Sequence, residues 1–322
     1  MDNLYKHSPY EGLVALRERK LGPSNGLGQD LESACADAER ELGCVPSGRL
    51  RTYVLLSAAA AMLQRVRDAS GVPLFIVKGG LIWQELLGSS ARPTYDLDGT
   101  LTCGVDEFIS RARESLVQPW GSLRGRIEEA ITYEGLTVAH TLFRFNLVLS
   151  EKGEDIATIP CEGSFGEPDF MLKTYRYSAV AIDVVGLPVP DALWGIRLAR
   201  GICSKLLNVT EPLTGPDGTR AGYQRPHRKA KHLVDAILLS CLCEEGTYCT
   251  YEELAETLKK RVVYENEARI ACGYAPFDSP LRPLPYDDWA VEYLIAAIQS
   301  GLNLRYADAL AEIGALFERL DP

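Results

Sequence analysis

The sequence has no uninterrupted apolar run that is long enough to cross a membrane. The nearest candidate, residues 54–63, is short and rich in alanine. The first residues also lack a basic segment followed by an apolar core, so we expect no signal peptide. Both absences argue against a membrane or secreted protein and favour a cytoplasmic one.

Cysteine and histidine lack the spacing that metal clusters need. The nine cysteines are scattered and include no Cys-x-x-Cys pair, and the chain has only four histidines. A zinc site requires tighter clustering of these ligands. The pattern therefore argues against structural zinc and predicts reduced thiols.

Positive charge is scarce overall but concentrated in one segment. Lysine and arginine number 34 against 44 acidic residues, and the net charge of −10 does not favour nucleic-acid binding. Residues 197–231 reverse this balance, with two acids against Arg197, Arg200, Lys205, Arg220, Arg225, Arg228, Lys229 and Lys231. Such a segment suits a triphosphate or an RNA backbone, although a solvated helix face gives the same pattern.

The most informative segment that is present runs from Phe75 to Asp98. An apolar strand pattern ends in Lys78-Gly79-Gly80, a short amphipathic stretch follows, and Arg92 precedes Asp96-Leu97-Asp98. Two aspartates separated by one residue on a strand point their carboxylates to the same side. An Asp-x-Asp pair alone is usually solvated, but a glycine turn and a second strand nearby favour divalent-metal and nucleotide chemistry.

In this order, the motifs resemble those of the AbiEii nucleotidyltransferase toxins, which include the MenT-type toxins and belong to the DNA polymerase β-like superfamily. The resemblance covers roughly residues 50–245. It assigns nucleotide binding to Lys78, Gly79, Gly80, Arg92, Lys205 and Lys231, and catalysis to Asp96, Asp98, Lys205 and Asp235. Two positions depart from the family's last motif, where Lys229 replaces arginine and His232 replaces aspartate.

The resemblance also implies a metal site with an unusual third ligand. Asp96 and Asp98 would bind Mg²⁺, two ions in such enzymes, with an NTP as substrate. A third carboxylate is expected on a neighbouring strand, yet the matching strand carries Asn146, which can ligate a metal but cannot accept a proton. Asp183 is the other candidate for this position.

The implied activity is transfer of NMP from an NTP, in some members of the family to the 3′ end of tRNA, by the toxin of a toxin–antitoxin pair. A cognate antitoxin would then be a protein partner. Two alternatives stay open. The acceptor hydroxyl can belong to a protein or a small molecule, or the chain can be a degenerate nucleotide-binding protein, as Asn146 and His232 would explain.

The pattern along the chain predicts an α+β fold. A polymerase-β-like nucleotidyltransferase domain with a small mixed sheet and a helical N-terminal extension is expected over residues 1–187, and a mostly helical domain over 188–322. Helices are predicted at 10–20, 30–42, 47–69, 81–87, 106–117 and 123–131, and strands at 74–77, 94–102, 135–149 and 180–185. Pro190 and Asp191 suit a helix start, and helices are predicted at 191–207, 227–244, 250–271, 286–300 and 306–319.

Overall fold

The computed structural model describes residues 27–41, 48–134, 141–178, 187–210, 229–286 and 288–320. Before residue 188 its helices are α1 (Leu27–Glu41), α2 (Arg49–Leu63), α3 (Gly80–Leu87) and α4 (Val105–Leu116). After it they are α5 (Leu198–Thr210), α6 (Lys231–Glu245), α7 (Tyr251–Ala271), α8 (Trp289–Ser300) and α9 (Tyr306–Leu320). The predicted helix at 10–20 and the predicted strand at 180–185 lie outside the described residues.

A single mixed sheet of seven strands is formed by the described residues. The strands are β1 (Phe75–Lys78), β2 (Leu97–Leu101), β3 (Leu123–Glu134), β4 (Thr141–Glu151), β5 (Glu154–Phe165), β6 (Thr174–Tyr177) and β7 (Leu193–Ile196). Their order is β3-β4-β5-β2-β1-β7-β6. The pairs β2–β5 and β1–β7 are parallel and the others antiparallel. The predicted α+β class with a mixed sheet is confirmed.

One face of the sheet forms the main core. Phe75 of β1 stacks on Phe108 of α4 with ring centroids 5.8 Å apart, and Phe108 also contacts Phe145 of β4 at 6.3 Å. Gly99 leaves room for the Phe75 ring, since a Cβ at that position would overlap it. Because strand side chains alternate, the residues next to these, including Lys78 and Asp98, point to the opposite face.

Glycines bring α3 close to its neighbours. The Ile82 side chain fills the space that a Cβ on Gly195 of β7 would take. The Trp83 ring likewise fills the space that a Cβ on Gly201 of α5 would take. This close packing fixes the short helix that follows the Gly79-Gly80 turn. The helix therefore holds that turn beside the start of β2.

Two sequence predictions are wrong in this region. Residues 123–131, predicted as a helix, belong to β3, which pairs with β4 along almost its whole length. The buried residues Leu123 and Ile127 are four positions apart because Gly125 stands between them on the same strand face, and this spacing also fits a helix. A bulge between Glu128 and Ile131, where Glu129 has a φ of 52°, then shifts the register of β3. Residues 191–197 do not start a helix either, because Leu193–Ile196 forms β7 and extends the sheet beside β1.

The division into two domains stays a prediction, although β7 lies beyond residue 188 and pairs with β1.

The cysteines within the described residues are free thiols, namely Cys35, Cys103, Cys161, Cys203, Cys241, Cys243, Cys249 and Cys272. Among the helices that the structure describes, none has both the length and the apolar character needed to span a membrane.

Candidate active site

A cavity of about 650 Å³ is lined by residues of α3, the segment before β2, α5, α6 and α8. Its wall contains seven of the predicted site residues, namely Gly80, Arg92, Asp96, Asp98, Lys205, Lys231 and Asp235. Trp83, Leu87, Leu238 and Leu239 add an apolar part to the same wall, and α8 contributes Glu292 and Gln299. The fold thus gathers residues that are separated by more than a hundred positions in the sequence.

The aspartate pair lies at the start of β2. Asp98 is in register with Lys78 of β1, and Thr94 donates a hydrogen bond from its hydroxyl to Asp96 Oδ1 at 2.7 Å. Burial, together with repulsion from Asp96 and Glu162, raises the pKa of Asp98 to about 6 against the opposing charges of Lys78 and Lys205. A buried carboxylate with two acidic neighbours is a suitable site for a cation.

The glycine pair allows the turn to contact this carboxylate directly. Gly79 has a φ of 75°, and a Cβ there would overlap Asp98 Oδ2. A Cβ on Gly80 would overlap the Thr94 side chain. Only glycine therefore fits at either position, and the backbone amide groups at the start of α3 lie against the acid-bearing segment.

Asp235 of α6 is the centre of a cluster of cations. Arg92 donates to it through two bonds, Nε to Oδ1 and Nη2 to Oδ2, both 2.8 Å, and Lys205 Nζ lies 3.0 Å from Oδ2. Burial alone would raise the pKa of Asp235, but the charges of Lys205 and Arg92 outweigh it and hold the pKa well below its usual range. Asp235 is therefore a fixed anion that orients Arg92 and Lys205 toward the cavity, not a proton acceptor.

The neighbours of Asp235 on α6 have depressed basicity. Burial and then the charge of Lys205 lower the pKa of His232 to about 3, so the imidazole is neutral near pH 7. Its Nδ1 lies 3.8 Å from Asp235 Oδ2, which is too far for a hydrogen bond. Burial, followed by the charges of Arg92 and Lys205, also lowers the pKa of Lys231. This crowding of positive charge favours an anionic ligand in the cavity.

Lys78 lies beside Asp98 on the same face of the sheet. Its Nζ donates to the Ser164 hydroxyl at 2.7 Å, and it is not among the residues that line the cavity. Burial lowers the pKa of Lys78, while Glu167 and Asp98 favour its charged form. The Lys78 side chain therefore points toward Ser164 of β5, an orientation that the local sequence pattern does not indicate.

The strand beside β2 is β5, not the strand that carries Asn146. Asn146 lies on β4 and donates a hydrogen bond from Nδ2 to Glu129 Oε2 at 2.9 Å. Glu162 of β5 is in register with Asp98 and close enough to raise its pKa. Sequence reasoning missed Glu162, because neither the length of the connection nor the local pattern shows which strand pairs in parallel with β2. Asp183 lies outside the described residues.

The carboxylates of the cavity suit a magnesium ion that binds together with its nucleotide. Within the described residues, no three side chains of histidine, cysteine, aspartate or glutamate form a group that could hold a metal. Asp96 and Asp98 offer two carboxylates, and Mg²⁺ is commonly bound by one or two carboxylates together with substrate phosphates and water. The residues therefore fit a metal that binds together with a nucleotide better than a permanently bound one.

Several basic side chains of residues 197–231 form ion pairs within the protein or are buried. Arg197 pairs with Glu253 at 2.8 Å, Arg200 forms a buried ion pair with Glu167, and Lys229 is buried. Residues 211–228, which hold Arg220, Arg225 and Arg228, lie outside the described part of the chain. An exposed basic surface for RNA is not formed by the described residues of this segment.

Neither the protein-family models nor the curated proteins include a match to this chain. Among solved structures, the chain is similar to MenT4, a nucleotidyltransferase toxin from Mycobacterium tuberculosis H37Rv. The two are 14% identical with a TM-score of 0.48, and the match covers 92% of this chain and 100% of MenT4. Because this similarity is low, we base the functional assignment on the side chains of the cavity.

Proposed function

We propose that the protein is a magnesium-dependent nucleotidyltransferase with a polymerase-β-like catalytic domain. The observation that carries the proposal is the shared cavity of Asp96, Asp98, Lys205 and Lys231. An acid pair that favours a cation and a cluster that favours an anion lie in the same wall. A nucleoside triphosphate with its metal ion carries negative phosphates for the basic cluster and a cation for the acid pair. It therefore matches this wall better than a purely anionic or purely cationic ligand.

Each group then has a defined task. Lys205, Lys231 and Arg92 bind the phosphates, with Asp235 fixing two of these cations in place. Amide groups of the Gly79-Gly80 turn lie close enough to the acids to contact the β- and γ-phosphates. When bound, Mg²⁺ would neutralise the charge that develops on the phosphate oxygens during transfer.

The reaction balances as a single displacement. The acceptor hydroxyl oxygen forms a bond to the α-phosphorus, the bond from that phosphorus to the β-phosphate oxygen breaks, and pyrophosphate leaves with the electron pair. The hydroxyl proton passes to a carboxylate, for which we propose Glu162, the neighbour of Asp98 on β5. Asn146 cannot take this role because an amide does not accept a proton.

For the acceptor we propose the 3′ end of tRNA, which would make the protein the toxin of a toxin–antitoxin pair. The support for this finer assignment is the AbiEii resemblance of the motifs that line the cavity. The antitoxin partner and the site of action in the cytoplasm follow from the same resemblance and are part of the proposal.

Incubation of the protein with each α-³²P-labelled NTP, Mg²⁺ and total tRNA tests the proposal. We expect label on the RNA, at least a hundredfold less with Asp96→Ala, and no loss with Asp106→Ala, an exposed aspartate on α4. Label on protein or on a small molecule after incubation with a lysate would support the first alternative. Thermal stabilisation by NTP without any transfer would support the degenerate binding protein.

A further inference from the structure

The sheet face that bears Asp98 continues outward beyond the cavity. Asp98 of β2 is in register with Glu162 of β5, Glu162 with Arg144 of β4, and Arg144 with Ile131 of β3. Side chains paired in register point to the same face of a sheet. With strands about 4.8 Å apart, Arg144 lies about 10 Å from the Asp98 backbone. One row of side chains therefore connects the acids to the sheet edge.

This face is open and carries an aromatic ring. Tyr133 is 43% exposed and Ile131 is 46% exposed, and both point to the same side as Arg144. The charges of Glu162 and Arg144 both affect the pKa of Tyr133, which burial raises, so the three groups are close together. The ring and the acid that neighbours Asp98 thus belong to one surface.

Arg144 is a cation available for a ligand on this surface. Nearby Glu128 pairs with Arg126 at 2.8 Å, and Glu129 accepts a bond from Asn146. Arg126 also pairs with Asp155 at 2.5 Å. Arg144 is exposed, and within the described residues it makes no ion pair or hydrogen bond. It is therefore free to bind a phosphate.

The geometry of the proposed displacement determines the side from which the acceptor hydroxyl reaches the nucleotide. The nucleotide cavity lies on the side of Asp98 that faces α3, α5 and α6. In an in-line displacement the entering hydroxyl and the leaving pyrophosphate are on opposite sides of the phosphorus. With pyrophosphate held by the cations of α5 and α6, the hydroxyl arrives from the side of β5 and β4.

We infer that Tyr133 and Arg144 form the binding platform for the acceptor, and that the acceptor is the single-stranded end of a polynucleotide. An exposed aromatic ring stacks on any base, and an adjacent arginine binds the backbone. Small-molecule sites are concave, whereas this face is an open sheet. The inference rests on the proposed function, and it replaces the basic segment 197–231 as the surface for the acceptor.

Binding of a 5′-fluorescein 12-nucleotide single-stranded RNA, measured by anisotropy with Mg²⁺ and without NTP, tests the platform. Tyr133→Ala and Arg144→Gln should each raise Kd by about 5- to 50-fold, while Tyr133→Phe stays within about twofold of the unaltered protein. Arg144→Gln should also reduce the slope of log Kd against log salt by about one. Tyr175→Ala, an exposed tyrosine on β6 at the other sheet edge, is the matched control.

Equal Kd values for the unaltered protein, Tyr133→Ala and Arg144→Gln would overturn the platform. So would a Tyr175→Ala effect as large as that of Tyr133→Ala. The two proposals fail in different ways: absence of NMP transfer to any acceptor contradicts the nucleotidyltransferase, whereas transfer to RNA with an unchanged KM in both platform variants contradicts only the platform.

Discussion

Asp235 and Arg92, 143 positions apart in the chain, form a two-point ion pair in which both nitrogen-to-oxygen distances are 2.8 Å. The pair joins α6 to the segment that leads into the Asp-x-Asp strand. It also lies almost out of solvent, with 16% of the Arg92 side chain and 7% of the Asp235 side chain exposed. The ion pair therefore connects the basic cluster of the cavity to the segment that bears its two aspartates.

Asp235→Asn should destabilise the protein by about 3–5 kcal/mol, because removing one member of a buried pair leaves the charges of Arg92 and Lys205 uncompensated. Urea unfolding measures this loss. Asp278→Asn breaks an exposed pair with Arg282 at 3.9 Å and should cost less than about 1 kcal/mol. Equal losses in the two variants would mean that the Asp235 cluster has no special role in stability.

The raised pKa of Asp98 makes the stability of the metal-free protein depend on pH. The folded pKa of about 6 exceeds the unfolded value of about 3.9, so the folded state holds this proton more tightly and loses relative stability as pH rises from 4 through 6. Asp98→Asn should be more stable than the unaltered protein by about 1–3 kcal/mol at pH 8 and nearly equal to it at pH 4. Denaturant titrations in EDTA at both pH values measure the difference, and a constant difference would contradict it.

Gly79→Ala should abolish transfer and also lower stability. An alanine at this position is strained by the positive φ, and its Cβ overlaps Asp98 Oδ2. The Asp98 carboxylate must therefore move. Gly153→Ala is the matched control, because its φ of 89° imposes a similar strain while nothing lies within 4 Å of the added atom. We expect about 1 kcal/mol of destabilisation and full activity for Gly153→Ala. Comparable activity in the two variants would show that the contact with Asp98 is unimportant.

Glu167 and Arg200 form a buried ion pair that fixes α5, the helix of Lys205, against the end of β5. Thr100 donates a further bond to Glu167 Oε2 at 2.6 Å. Arg200→Met and Glu167→Gln should each cost about 3–5 kcal/mol, and the double variant less than their sum, because neither charge is then left alone. A double-mutant cycle by chemical unfolding measures the coupling, and strict additivity would contradict a direct interaction.

Local patterns predicted the two strands β1 and β2 at the cavity, because strand formation there follows short-range rules. The strand that ends at Lys78, the Gly79-Gly80 turn and the same-side placement of Asp96 and Asp98 all follow from the alternation of side chains and the freedom of glycine. Most helices after residue 228 also begin and end within a few residues of their predicted bounds. The same rules failed at β3, where the buried Leu123 and Ile127 flank Gly125 on one strand face and so have a spacing that also fits a helix.

The sequence by itself determined which residues are candidates for the site: an acid pair next to a glycine turn and, far along the chain, Lys205, Lys231 and Asp235. Only the tertiary structure decided how they meet. It paired β5 with β2 and so placed Glu162 beside Asp98, left Asn146 one strand further away, and directed Lys78 to Ser164 of β5. The reason is physical: side-chain periodicity is a property of neighbouring residues, whereas strand order and ion-pair partners depend on hydrogen bonds and charges between distant segments.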